Sequence, residues 1–134
     1  IESFAGYAFS KGHSASYAVE SYQSLYLKAH FPLEYMVATI NNFGGYYRTE
    51  IYVHEARRFG ALIEPPSLNE GAHACLLKGK RLILGFMLIE GLETNMVQDL
   101  LQDRLENGPF LNFDNLMKVI ESMYDNAINR NYNI

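Results

Sequence analysis

The stretch from Phe9 to Pro32, FSKGHSASYAVESYQSLYLKAHFP, decides how this chain is read. Ala18, Tyr22, Leu25 and Ala29 recur at the spacing of one helical face, and Ala15, Val19 and Tyr26 widen it. A helix is therefore expected over Ser14–His30, with Ser14 or His13 capping its start. Pro32 ends it, because the residue before a proline avoids helical angles. Tyr17 and Tyr22 are expected to be buried anchors whose hydroxyls find partners. Lys11–Gly12–His13–Ser14, at the entrance to this helix, has two readings. A helix start points free N–H groups and positive dipole outward, Lys11 adds charge, His13 and Ser14 add donors, and Gly12 lets a ligand approach. That set suits a triphosphate or a DNA phosphate. The plainer alternative is a capping turn with an exposed lysine.

Working outward, Pro32 suits the first position of a second helix, with Leu33, Met36, Val37 and Ile40 as its apolar stripe. Gly44 and Gly45 interrupt the chain. A third helix is expected over Tyr46–Phe59, with Ile51, His54, Glu55 and Arg58 on one side. Gly60 caps it, and Arg57 and Arg58 complement the dipole in its last turn. The texture then changes. ALIEPPSLNEG reads as a short strand and a proline-rich loop, and ACLLKGKRLILGF as a β-hairpin around Lys78–Gly79–Lys80. Thr94 is the expected cap of a helix with the stripe Val97, Leu100, Leu101 and Leu105, stopped by Gly108–Pro109. A last helix has Asp114 near its start, and INRNYNI reads as a frayed or truncated tail. The fold class is mainly α. Residues 1–62 form a helical segment, and residues 63–134 a β-hairpin followed by a helix-hairpin-helix-like pair.

The chain has 134 residues and a net charge of −4, an acidic balance unlike that of an autonomous DNA-binding domain. Nucleic-acid contact must come from local clusters or from a larger protein. The single cysteine, Cys75, excludes an internal disulfide and reads as a small apolar residue in a reducing compartment. No apolar run reaches membrane-span length, and IESFAGYAF lacks the basic start of a signal peptide. The absence of an initiating Met suggests a piece of a longer chain.

Catalytic signatures are missing: there is no Walker loop, no GxSxG and no HExxH. HEARR offers too few ligands for zinc, and His73 stands alone. No catalytic and no metal-binding residue is expected. In FMLIEGLETNMVQDLL, Gly91 is a candidate hairpin glycine between two helices, where backbone N–H groups meet phosphate. Lys78 and Lys80, with Arg81, form a basic hairpin tip that is either simply solvated or close to nucleic acid.

Phe4, Tyr7, Phe9, Lys11, His13, Tyr17, Ala18, Tyr22, Gln23, Leu27, Lys28, Ala29, His30, Pro32, Glu34 and Met36 make a block that resembles the bacterial C-family replicative polymerases, the DNA polymerase III α subunits. The resemblance continues through YVHEARRFGALIEPPSLNEG and LILGFMLIEGLETNMVQDLLQDRLENGPFLNFDNLM. It implies the end of the fingers domain running into the helix-hairpin-helix region of a DNA-directed DNA polymerase. It implies template-primer DNA, a deoxynucleoside triphosphate and other holoenzyme subunits as partners, with a cytoplasmic location. The catalytic aspartates and their Mg2+ would belong to the parent, leaving this piece without a cofactor and inactive alone. It further places Lys11, Gly12, His13 and Ser14 toward the incoming nucleotide, and Arg57, Arg58, Lys78, Lys80 and Gly91 toward DNA. Two departures stand out. Ser10–Lys11–Gly12–His13 replaces Asn-Lys-Ser-His, and Glu90–Gly91–Leu92–Glu93 replaces Lys-Gly-Val-Gly. The second puts two carboxylates beside a phosphate site, which predicts a weaker grip. A freestanding nucleic-acid-binding module and a structural, protein-contacting helical piece are the alternatives.

Overall fold

The computed structural model describes residues 11–132. Phe4, Tyr7, Phe9 and Ser10 of the resemblance, the IESFAGYAF segment, and Asn133 and Ile134 of the tail lie outside the described residues. In chain order the described elements are helix α1 (Lys11–His30), α2 (Pro32–Asn41), α3 (Thr49–Arg58), strands β1 (Leu62–Glu64), β2 (Leu76–Lys78) and β3 (Arg81–Ile83), a 3₁₀ turn (Phe86–Leu88), α4 (Thr94–Asn107) and α5 (Phe113–Tyr132). The fold is mainly helical, with one small sheet, as the sequence indicates.

α2 starts at its proline and buries Met36 and Ile40, two of the four residues of its stripe. α3 supplies Ala56, and Ala61, Cys75 and Leu82 complete one cluster that joins these helices to the sheet. Burying a side chain such as Met36, Ile40 or Leu82 stabilises by about 1.5–3 kcal/mol each. Asn41 and Cys75 bond side chain to backbone across the same boundary. Phe59, not Gly60, is the C-cap of α3, and Gly60, next in the chain at φ +97°, turns it into β1. β2 and β3 form the expected antiparallel hairpin, with Lys78 opposite Arg81 and Gly79–Lys80 as its turn. β1 adds parallel to β3, pairing Leu62 with Arg81 and Glu64 with Ile83, so β3 is the central strand.

Beyond β3 the chain crosses close under its own loop. A Cβ on Gly85 would lie 2.5 Å from the His73 carbonyl oxygen. Phe86 and Met87 donate backbone bonds to Ala72 O and His73 O, and Gly85 N–H donates to Cys75 Sγ at 3.2 Å. Ile83, Phe86, Val97 and Leu100 carry burial onward into α4. α5 opens on a reciprocal cap. Asn112 Oδ1 accepts from Asn115 N, and Asn115 Oδ1 accepts from Leu111 N.

Several sequence expectations need correction. Lys11–Ser14 already lie within helix α1, so neither Ser14 nor His13 precedes it as a cap. Tyr17 and Tyr22 are not buried anchors: they are 59% and 69% exposed. Pro32 redirects the chain, and residues 11–27 are exposed throughout, with only Lys28 of α1 partly covered. α3 begins at Thr49 rather than Tyr46, because Arg48 is extended at ψ 150° and Tyr47 N–H bonds the Tyr52 hydroxyl instead. Glu93, not Thr94, is the N-cap of α4, and it makes no side-chain capping bond. Leu105 is 80% exposed, because neighbouring Arg104 meets the proline loop through polar bonds to Leu68 O and Gly71 O. The tail is helical as far as Tyr132, since no glycine or proline interrupts it after Pro109.

Candidate nucleic-acid interface

The end of the sheet gathers cations from two distant stretches. Lys78 and Lys80 flank Gly79 at the hairpin tip, and all three are exposed. Leu62 N–H donates to Lys80 O at 2.7 Å, so the tip lies against the segment that leaves α3. Arg57 and Arg58 occupy the last turn of α3, both exposed. Four of the basic residues singled out from the sequence thus share one end of the fold. Among the described residues no carboxylate comes within 4.0 Å of any of them, although the charge of Lys78 reaches Glu64.

Arg81, beside this tip, is committed elsewhere. Its Nε and Nη2 donate to the two Glu64 carboxylate oxygens at 2.6 and 2.7 Å, and Nη2 also donates to Glu70 at 2.7 Å. A bidentate guanidinium–carboxylate pair is planar and well matched. The Arg81 hydrogen bond holds the Glu64 carboxyl below its usual value, and Glu64 and then Glu70 push the Arg81 guanidinium up. The guanidinium therefore braces the proline loop and is a poor donor to a ligand.

Gly91 sits at the opposite end of β3, after the 3₁₀ turn. Its φ of +79° is a left-handed conformation that glycine adopts without steric cost, and nothing lies within 4 Å of a Cβ built there. The element before this hairpin is a single 3₁₀ turn rather than a full helix. Leu92 N–H bonds Ile89 O, and α4 follows with its first amides lacking any side-chain cap. Those amides and the dipole favour an anion, while exposed Glu90 and Glu93 oppose one.

Lys11, Gly12, His13 and Ser14 are exposed in the first described turn of α1, which carries no acidic residue. Ser16 Oγ donates to Gly12 O at 2.9 Å, and the His13 ring meets Tyr17 edge-on at 5.4 Å. At the other end of α1, His30 stacks on Tyr26 at 4.2 Å, and Lys28 pairs with Glu55 at 3.5 Å. Lys11 is nineteen positions from His30 on one helix, so the nucleotide candidates and the cationic end of the sheet are not brought together by these elements.

Cys75 is buried, and burial pushes its thiol up. His73 Nδ1 is buried without a hydrogen-bond partner. Among the described residues no group of three or more His, Cys, Asp or Glu is placed to hold a metal ion. No described helix is long and apolar enough to cross a membrane. Sequence reasoning missed the Phe43–Arg48 loop, whose aromatic rings are exposed. The signal was FGGYYR, in which paired glycines precede two tyrosines and an arginine. Helical periodicity absorbed those tyrosines into α3.

Residues 60–130 match the family model described as "Helix-hairpin-helix motif". Among curated proteins the chain is similar to DNA polymerase III subunit alpha of Treponema pallidum (strain Nichols), at 30% identity over 128 residues, 95% of this chain and 11% of the relative. It is 35% identical over 112 residues to the Buchnera aphidicola subsp. Schizaphis graminum (strain Sg) protein of that name, covering 82% of this chain and 10% of the relative. The Escherichia coli (strain K12) protein of that name is 36% identical over 112 residues, again 82% and 10%. The chain spans about a tenth of the length of these relatives.

Proposed function

The chain belongs to the helix-hairpin-helix family, and from that premise we propose that it positions DNA and nucleotide within a DNA-directed DNA polymerase α subunit. The observation that carries this reading is the likeness to DNA polymerase III α subunits over 82–95% of the chain. The physical roles are electrostatic. Arg57, Arg58, Lys78 and Lys80 hold the duplex backbone, and the Gly91 turn adds backbone donors weakened by Glu90 and Glu93. Lys11, with Gly12, His13 and Ser14, faces the triphosphate and offsets its charge, without proton transfer. The reacting aspartates and Mg2+ belong to other parts of the polymerase, so these residues alone are inactive. The other polymerase subunits are its protein partners, and the cytoplasm is its place of work.

Primer extension by the intact protein tests this. The triple variant Arg57→Ala, Arg58→Ala, Lys80→Ala raises KM for primed DNA about tenfold and flattens its salt dependence, since each lost phosphate contact removes about 0.9 from the slope. An unchanged KM and slope overturn the assignment. The uncovered aromatic face of α1 favours a second reading, a protein-contacting helical piece, which predicts no effect of these cations.

A further inference from the structure

The Phe43–Arg48 loop is built to hold aromatic rings out in solvent. Tyr46 is 93% exposed, Phe43 68% and Tyr47 60%. The Tyr46 and Tyr47 rings meet edge-on at 5.3 Å, and Tyr47 lies 6.4 Å from Tyr52. The loop is tied down from below. Phe43 N–H bonds Ile40 O, Gly44 N–H bonds Thr39 O, and Tyr47 N–H bonds the Tyr52 hydroxyl. The Tyr52 ring fills the space a side chain on Gly45 would need, so a glycine is required there. Phe43 holds φ +48°, an unfavourable region for an aromatic residue. A loop whose backbone is fixed in this way loses little freedom of its own when its rings meet a flat partner.

The surroundings say which partner. From the loop, Ile51, His54 and Arg58 follow along one exposed face of α3, about 15 Å long, and end at the cations Arg57, Arg58, Lys78 and Lys80. Each carboxylate of that helix has a cation beside it, Arg48 at 3.7 Å from Glu50 and Lys28 at 3.5 Å from Glu55. A hollow of about 460 Å³ lies between Phe43, Thr49, Glu50, Val53 and His54 on one side and Leu84, Met87 and Leu88 on the other. It connects the aromatic loop to the turn before Gly91. Stacking rings beside a positive track match single-stranded nucleic acid, whose unstacked bases offer π-faces, and not a duplex, whose bases are already stacked. We propose that the Phe43–Arg48 loop is a stacking platform for single-stranded DNA, with Tyr46 and Tyr47 taking bases and the cationic end of α3 taking the backbone. This rests on the DNA-positioning reading and adds the strand type and the groups that read it.

The experiment uses the intact protein with two fluorescent probes, a 20-nucleotide oligothymidine strand and a hairpin duplex, in anisotropy titrations at several salt concentrations. Tyr46→Ala with Tyr47→Ala weakens single-strand binding about tenfold or more, leaves its salt slope unchanged and alters duplex binding less than twofold. Tyr46→Phe with Tyr47→Phe retains single-strand binding, because the ring does the stacking. Single-strand affinity within twofold of the parent for the alanine pair, with an unchanged circular dichroism spectrum, overturns the platform. Loss of a protein partner from the intact assembly, with single-strand affinity unchanged, overturns it in favour of a protein-docking loop. Arg57→Ala with Arg58→Ala separates the two levels. If that pair lowers binding of both probes while the tyrosine pair lowers neither, DNA positioning stands and the platform falls. If neither pair changes either probe, both fall.

Discussion

Asn41 and Cys75 exchange two hydrogen bonds across a sequence separation of 34. Asn41 Nδ2 donates to Cys75 O at 3.0 Å, and Cys75 N–H donates to Asn41 Oδ1 at 2.8 Å. The side-chain amide behaves as an extra strand residue, completing the backbone pairing of the segment that enters β2. It joins the end of α2 to the sheet beside buried Ile40 and Leu82.

Replacing Asn41 by Ala leaves a partly buried N–H and C=O without partners. The expected loss is about 1–3 kcal/mol, read by urea unfolding of the 134-residue chain. A loss below a few tenths of a kcal/mol means that water replaces the amide freely and the bridge is not a structural link.

The Glu64–Arg81 pair sets a pH dependence with a definite sign. The Glu64 carboxyl is held below its ordinary 4.5, chiefly by the Arg81 hydrogen bond. A depressed carboxylate contributes stability above its unfolded value, and that contribution disappears as pH falls through the lower folded value. Thermal midpoints should therefore decline below about pH 4.5, and Glu64→Gln should make that decline shallower. High salt should reduce the difference, since both groups remain partly open to solvent. Identical acid profiles for the parent and Glu64→Gln contradict the assignment.

Lys11 is exposed and makes no contribution to the core, so Lys11→Ala should not change the unfolding midpoint. On the proposed function, Lys11→Ala in the intact protein should raise KM for deoxynucleoside triphosphate while KM for primed DNA stays the same. Steady-state primer extension separates the two, and an unaltered nucleotide KM removes Lys11 from the nucleotide's surroundings.

Met36→Ala should destabilise by about 2–5 kcal/mol, because Met36 is 1% exposed within the cluster that joins α2 to the sheet. Tyr22→Ser, on the long helix, should change stability by less than about 0.5 kcal/mol. Comparable losses for the two variants would mean that the face of α1 is covered in solution.

That contrast marks how far the sequence could be read. The α2 stripe was legible because Pro32 sets its phase and Met36 and Ile40 really are inward. The β2–β3 hairpin was legible from Lys78–Gly79–Lys80 between apolar runs. The parallel partner β1 was recognised as a strand, but nothing local in Leu62–Glu64 specifies which edge it joins. Tyr17 and Tyr22 misled because periodicity reports which residues share a face and not whether anything covers that face. Thr94 misled because a good capping residue stood one position too late. Within the candidate site, the charges and Gly91 were readable as residue types. Their grouping was not, because the Lys80–Leu62 backbone bond that brings the tip to α3 belongs to the sheet.

The 20-residue α1, about 30 Å long, is covered only at its Lys28 end. It meets α2 at Phe31, whose N–H bonds Leu27 O and whose carbonyl accepts from Tyr35 N–H. A swing of about 10° there would carry Lys11 about 5 Å, comparable with one helical pitch. In an assembly that covered the far arm, the covering contact would set the reach of that ammonium, and a substitution in it would mimic loss of the lysine without touching it.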